Sequence, residues 1–267
     1  MQRLRSCRTF ALLIVAASSN LSFAPRQTSA AIVSWDGTGT AWNVASSWST
    51  VQNAPTPDPA APPGANDVAD FNITTVNTPQ TVNLNAPQSA VGLLVDSTGS
   101  VVIQSGSGTN TLSLGLGGIA LVAPAGGLTI TAPVSLVSNQ NWANDSANLL
   151  NVASSISLGA NTLTFAGQGN STLGGTIGGS GGLTANPLAT VVLNGANTYT
   201  GVTNINAGTI VLGNASALGS VAGGTTISND GTLDLAGQSV GAVRHRQSAA
   251  TIVAELVGQA ERLNRTL

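Results

Sequence analysis

Residues 194–220 have the sequence NGANTYTGVTNINAGTIVLGNASALGS. The stretch contains no group that is charged at pH 7, and glycine or asparagine alternates with short runs rich in Thr, Ile and Val. Glycine adopts positive φ freely and asparagine tolerates it, so both suit corners, whereas β-branched residues suit strands. The pattern therefore predicts short strands joined by tight corners. The backbone conformation alone explains this composition, and no catalytic group is needed to account for it.

The same pattern recurs through most of the chain. A core of Thr, then Leu, Ile or Val, then any residue, then Leu or Phe is found at residues 111–114, 162–165, 190–193, 209–212 and 232–235. The last four copies begin roughly 20 to 30 residues apart, without helical periodicity between them. Recurrence at this interval is typical of a β-solenoid, in which each coil lays its strands on those of the coil before. We therefore expect an all-β chain in which residues 81–241 form a β-solenoid.

Charge is distributed very unevenly along the chain. There is no lysine, all eight arginines lie near the two ends, and residues 32–243 contain eight Asp but no Glu, Arg or His. Nucleic acids and anionic membrane surfaces are bound through cationic side chains. The composition of this segment therefore excludes nucleic acid and anionic membranes as its partners.

Residues 1–30 predict a signal peptide. Three arginines precede the apolar run of residues 10–17, which is too short to span a membrane, and small residues follow. Cleavage is expected after Ala30 or Ala31. The single cysteine, Cys7, lies inside the signal, so the mature protein would have no disulfide and no thiolate ligand. These features predict the secretion machinery as a partner and a secreted or outer-surface location.

Residues 31–80 form a section rich in tryptophan and proline. Trp35, Trp42 and Trp48 lie close together in the sequence and precede a proline-rich loop. One interpretation is that the indoles form a cap that closes the N-terminal end of the solenoid, whose first coil must be covered. The alternative is that they are exposed and stack on sugar rings. We favour the cap, and the solvent exposure of the three side chains distinguishes the two interpretations.

The repeat pattern ends near residue 241. Residues 242–267 form an off-pattern tail with four arginines, both glutamates of the chain and its only histidine, His245. The apolar residues of this tail lie on one helical face, which predicts an amphipathic helix that covers the last coil. The alternative, favoured by the abrupt change in residue usage, is a foreign end from a frameshift or a truncated gene. His245 lies between two arginines, so we favour a solvated basic stretch over a catalytic base.

Few residues are candidates for catalysis or metal binding. Asp67 and Asp70 suggest a calcium or acid–base pair, but their spacing places them on opposite faces of a strand, so we favour turn capping. Asp230 and Asp234 suggest the carboxylates of a polysaccharide hydrolase, yet no basic residue is near them in the sequence. Residues 115–120, GLGGIA, match a dinucleotide-binding fingerprint, but the residues after them cannot start a helix. We predict no catalytic, cofactor-binding or metal-binding residue.

Two segments resemble a known repeat. Residues 174–220 contain a GSGGLT start, a GANTYTG centre and an ALGS end, and residues 231–241, GTLDLAGQSVG, continue the pattern. In these features the chain resembles the autotransporter-associated β-strand repeat family (passenger-associated transport repeat) of exported bacterial surface proteins. The positions that carry the repeat signature are Gly195, Asn197, Tyr199, Gly201, Gly208, Leu218 and Gly219.

The resemblance implies a right-handed parallel β-helix with a structural, export-assisting or adhesive role and with no catalytic residues. Residues 184–190, TANPLAT, depart from the family, which usually has a lysine and a glycine-rich turn at this point. This corner is therefore expected to be looser than the others.

The sequence favours an exported, non-enzymatic structural or adhesin-like passenger without a small-molecule cofactor. Cell-surface or polysaccharide ligands are the expected partners beside the secretion machinery. The alternative is an extracellular carbohydrate-binding module of a polysaccharide system. A β-helix polysaccharidase is a third hypothesis, and it requires two Asp carboxylates within about 10 Å of each other in one groove.

Overall fold

The computed structural model describes residues 30–72, 78–235 and 238–240, and this part of the chain is almost entirely β. Residues 1–29 of the predicted signal and the whole predicted tail, residues 242–267, lie outside the described residues. The helical content of the described part is one 3₁₀ turn, Ala45–Ser47. The strands are β1 (Ala31–Trp35), β2 (Trp48–Ser49), β3 (Asp67–Phe71), β4 (Gln80–Asn83), β5 (Gln88–Val95), β6 (Val101–Gln104), β7 (Leu112–Leu121), β8 (Leu128–Ile130), β9 (Val134–Leu136), β10 (Gln140–Asn144), β11 (Leu150–Val152), β12 (Ile156–Ser157), β13 (Leu163–Gly167), β14 (Ser171–Leu173), β15 (Ile177–Gly178), β16 (Leu183–Ala185), β17 (Thr190–Leu193), β18 (Thr203–Leu212), β19 (Thr225–Leu235) and β20 (Gln238–Val240).

The strands stack in parallel as the three faces of a solenoid. The first face runs from β1 through β3, the second halves of β5 and β7, then β10, β13 and β16, to the first halves of β18 and β19. The second face contains β4, β6, β8, β11, β14, β17 and the second halves of β18 and β19. The third face contains the first halves of β5 and β7, followed by β9, β12 and β15. The result is a parallel β-solenoid of about seven turns, which confirms the predicted all-β, parallel β-helix class.

Inward side chains form continuous columns along the solenoid. Successive strands lie about 4.8 Å apart, so each apolar side chain packs on its equivalent in the next coil. Stability therefore depends on contacts between neighbouring coils more than on any single coil. One such buried column, on the first face, consists of Val33, Ala69, Leu93, Ile119, Trp142, Phe165, Ala185, Ile205 and Ile227.

Some long strands bend from one face to the next. β5 and β7 are in register up to Ala90, and the register shifts before Gly92. Residues 115–120, GLGGIA, lie at this bend, inside β7. A side chain at Gly117 would meet the backbone of Val91 in the neighbouring coil, so glycine allows the close approach. The segment is part of a strand and not a strand-to-helix turn, which excludes the dinucleotide fingerprint.

Parallel pairing gives way to antiparallel pairing at both ends of the described stack. β1 pairs with β2 at Ser34 and Trp35, and β19 pairs with β20. β1 and β3 are themselves in register with β5, so residues 31–71 contribute the first strands of the first face. The division of the chain at residue 80 stays a prediction. Among the described residues, no helix has the length and apolar character needed to cross a membrane.

Candidate functional site

The three clustered tryptophans lie inside the N-terminal end of the solenoid. Trp35, Trp42 and Trp48 are each 0% exposed. The ring centroid of Trp48 lies 5.0 Å from those of both other indoles in edge-to-face geometry, and Phe71 packs against all three. A sugar ring cannot stack on a buried indole. The burial of these three residues therefore does not favour the hypothesis that they bind carbohydrate.

Each of the three indole N–H groups donates a hydrogen bond within the protein. Trp48 Nε1 donates to the Trp42 carbonyl oxygen at 2.8 Å. Trp35 Nε1 donates to Gln80 Oε1 at 3.3 Å, and Trp42 Nε1 donates to the Pro63 carbonyl oxygen at 3.4 Å. Because Gln80 begins β4 and Pro63 belongs to the proline-rich loop, the aromatic cluster joins both segments to the first coil.

Asn197 connects three successive coils. Its side chain is 4% exposed, its Oδ1 accepts a hydrogen bond from the Ile177 N–H at 2.8 Å, and its Nδ2 donates to the Ala217 carbonyl oxygen at 2.6 Å. An amide side chain is suited to this position because it carries both a donor and an acceptor. The bridge lies just beyond β15, the last strand of the third face, so Asn197 continues the contact between coils where the strand ladder has ended.

Tyr199 is buried beneath the corner of the next coil. Its hydroxyl is hydrogen-bonded to the Thr203 hydroxyl at 2.6 Å. Burial raises the pKa of Tyr199 to about 12, against a smaller opposing effect of the bond to Thr203. Gly219 lies against this tyrosine with φ of +71°, and a Cβ there would be 2.5 Å from the Tyr199 carbonyl oxygen. Glycine is required at this corner by both the φ value and the lack of space.

The remaining repeat-signature residues also face neighbouring coils. The Gly201 N–H donates to the Gly181 carbonyl oxygen at 3.0 Å, and a side chain at Gly201 would meet the Gly181 backbone. Gly195 and Gly208 lie similarly close to the preceding coil, and Leu218 is partly buried against the core. The signature therefore describes how coils stack, and it presents no reactive group to solvent.

Asp67 and Asp70 have separate partners on opposite sides of β3. Asp67 Oδ2 accepts a hydrogen bond from the Gly64 N–H at 2.9 Å and caps the turn before the strand. Asp70 is 0% exposed, and its Oδ2 accepts from Ser34 Oγ at 2.9 Å and Gln52 Nε2 at 3.0 Å. The two carboxylates form no shared site. The prediction that both cap turns is correct for Asp67 and wrong for Asp70.

Asp70 has an electrostatic environment that sequence analysis did not reveal. Burial raises the pKa of Asp70 to about 6 against the effect of its two hydrogen bonds, and the negative charge of Asp96 raises it further. Burial also raises the pKa of Asp96, which is hydrogen-bonded by the Asn72 side chain. Asn72 follows β3 and Asp96 follows β5, and these two strands are adjacent and in register. The sequence gives only a weak indication that Asp70, Asn72 and Asp96 come together, because polar residues are common where strands end.

Asp230 and Asp234 lie on β19. Asp230 is exposed and Asp234 is half-buried, and they are paired with Ala207 and Val211 of β18. Asp230 therefore faces solvent instead of a water-excluding cleft. In residues 30–72, 78–235 and 238–240, no three His, Cys, Asp or Glu side chains converge as metal ligands. His245 lies outside the described residues.

The outer side of the third face carries a ladder of four serines. Ser89, Ser113, Ser135 and Ser157 occupy equivalent positions on successive strands. A shallow groove of about 580 Å³ includes the last two of them and is otherwise lined mainly by Ser, Thr and Gly. This serine ladder presents one uncharged donor and acceptor per coil, about 4.8 Å apart. Sequence analysis missed it, because a single serine per strand has no distinctive meaning until the register is known.

The chain is similar to part of a known adhesin. It is 37% identical over 91 residues to the adhesin BmaC autotransporter of Brucella suis biovar 1 (strain 1330). The match covers 29% of this chain and 3% of that protein. No family model and no solved structure matches the chain. The similarity and the β-solenoid fit a passenger-like domain, and the predicted repeat family stays a prediction.

Proposed function

We propose that this chain is an exported, adhesin-like β-helix passenger that acts without catalysis, at the outer cell surface or after secretion. The observation that carries the proposal is the 37% identity over 91 residues to an autotransporter adhesin, in a chain that folds as a parallel β-solenoid. Because the chain spans 3% of that adhesin, the ligands of this chain are inferred from its own surface. Export by a secretion machinery belongs to the same proposal.

The exposed faces suit many weak contacts with a long ligand. The serine ladder repeats the same hydroxyl group from coil to coil, and the groove beside it is shallow. A ligand that contacts several coils at once gains affinity from each contact, because the later contacts form at high effective concentration. We therefore assign the serine ladder as the surface that contacts a cell-surface ligand.

The carbohydrate-binding module is not favoured. The tryptophans that suggested it are buried and hydrogen-bonded inside the N-terminal end. Their N–H groups are hydrogen-bonded and their rings pack against each other, so these three side chains offer no exposed ring on which a sugar could stack.

Location is tested with antibodies raised against the purified chain. We expect the antibodies to label intact cells that produce the protein, or to detect it in their medium. External protease should remove the label from intact cells. Label that appears only after the cells are permeabilised would contradict both export and surface exposure.

Adhesion is tested with beads coated with the purified chain and applied to cultured epithelial cells. We expect coated beads to bind and the variant S89A/S113A/S135A/S157A to bind several-fold less. The matched control replaces outward residues of the second face, as T81A/T129A/N151A/T172A, and should retain binding. Circular dichroism checks that both variants are folded. Equal adhesion of coated and uncoated beads would contradict the adhesin, and equal loss in both variants would contradict the role of the serine ladder.

A further inference from the structure

Unpartnered buried oxygen atoms are concentrated at one place in the fold. In the described residues, five buried side-chain polar atoms have no hydrogen-bond partner. Three of them are the Oδ1 atoms of Asp70, Asn72 and Asp96. A buried oxygen atom without a partner costs free energy, so three such atoms together call for an explanation.

The three residues lie on, or directly after, two adjacent strands of the first face: Asp70 on β3, Asn72 after β3 and Asp96 after β5. Asp70 and Asn72 are two residues apart, so they point to the same side of the sheet. The Asn72 side chain hydrogen-bonds to the Asp96 carboxylate, which lies near enough to Asp70 for the two negative charges to repel each other. Asp70 is 0% exposed and is covered by Gln52 of the segment between β2 and β3.

The chemistry of this oxygen cluster fits a hard cation. It combines two carboxylates and one amide oxygen, and residues 32–243 contain no Lys or Arg to neutralise them. Calcium takes six to eight oxygen ligands at about 2.3–2.6 Å in flexible geometry, with waters and backbone carbonyls completing the shell. Magnesium demands stricter octahedral geometry, and structural zinc prefers nitrogen and sulfur ligands.

We propose that Asp70, Asn72 and Asp96 bind a calcium ion through their Oδ1 atoms. The other carboxylate oxygen of Asp70 already accepts hydrogen bonds from Ser34 of β1 and from Gln52. The ion therefore links β1, β3, the end of β5 and the covering segment. Its effect is to hold the N-terminal end of the solenoid closed.

The test is calcium binding by the purified, EDTA-treated chain, measured by titration calorimetry with calcium chloride alone. We expect a dissociation constant of about 10⁻⁴–10⁻³ M, as in other extracellular sites, and at least roughly tenfold weaker binding by D96N and by D70N. At a calcium concentration about ten times that constant, the Tm of the parent chain should rise by about 3–5 °C. Magnesium chloride should have a smaller effect.

The matched control is D145N. Asp145 follows β10 at the position that corresponds to Asp96 two coils earlier, but its side chain is exposed. D145N should bind calcium like the parent chain. Circular dichroism establishes that D96N, which alters a half-buried residue, is folded. No calcium binding up to about ten millimolar, a range that covers weak extracellular sites, would overturn the site. So would equal calcium binding by the parent chain and D96N, because the calcium would then bind somewhere other than at this cluster.

Discussion

At the N-terminal end of the solenoid, three indoles and Phe71 fill the core, whereas around residues 194–220 small residues and hydrogen bonds join the coils. The aromatic cluster also binds the start of β4 and the proline-rich loop through two of its indole N–H groups. In the repeats, Asn197 connects its own coil to the coils before and after it, and Gly201 and Gly219 let backbones approach closely.

The difference follows from the number of neighbours that each region has. An inner coil has a neighbouring coil on both sides, and its apolar columns, glycine corners and one bridging amide together fix its position. Within residues 30–72 and 78–235, the first coil has a neighbouring coil on one side only, and large aromatic side chains are buried inside it. A further inner coil can therefore use the same types of residue as its neighbours, whereas the end of the solenoid needs residues that the inner coils do not have.

Replacing Trp48 should have the largest effect, because it lies at the centre of the aromatic cluster. The change W48A leaves a cavity bordered by Trp35, Trp42 and Phe71 and should lower the free energy of unfolding by about 3–5 kcal/mol. Urea unfolding followed by circular dichroism measures the loss. The control V44A, at a residue that is 42% exposed, should change stability by less than about 0.5 kcal/mol. Similar losses in the two variants would show that the end does not depend on its aromatic core.

Alkaline pH should weaken the repeats through Tyr199. Its pKa of about 12 in the folded chain exceeds the ordinary value of about 10, so the folded state holds the proton more tightly. The contribution of the protonated Tyr199 to the free energy of unfolding is complete below pH 10. It is lost as the pH rises toward 12, by at most about 1.4 kcal/mol per pH unit.

Tyr199 is the only tyrosine of the chain, so the ultraviolet absorbance of tyrosinate follows this one group. The folded chain should titrate about two pH units above the urea-unfolded chain. In Y199F the unfolding free energy should lose this dependence between pH 10 and 12. A folded chain that titrates with the ordinary tyrosine pKa would contradict the burial of this side chain.

The fold could be predicted from the sequence because its signals are local. Period-two alternation and glycine corners are visible within a few residues, and their recurrence roughly every 20 to 30 residues indicates stacked coils. The aromatic section was harder, since the sequence allowed both a buried cap and an exposed platform. Only the burial of Trp35, Trp42 and Trp48 separates the two.

The candidate sites could not be predicted, because they depend on the register between distant strands. Asn72 and Asp96 become neighbours only when β3 lies on β5, and Ser135 and Ser157 only when β9 lies on β12. Corner lengths vary from coil to coil, so the sequence does not fix which residues are aligned. The burial of Asp70 could not be predicted for the same reason, because the residue that covers it, Gln52, belongs to the segment between β2 and β3.

Two glycines of the repeats test whether corners need space as well as positive φ. Gly219 and Gly224 have φ of +71° and +68°, but a Cβ at Gly219 would meet the Tyr199 carbonyl oxygen, whereas one at Gly224 would have nothing within 4 Å. G224A should therefore cost about 1 kcal/mol for conformation alone, and G219A about 2 kcal/mol or slightly more. Urea unfolding of both variants measures the difference. Equal losses would mean that Tyr199 moves away from the added methyl group, and that φ alone selects glycine at these corners.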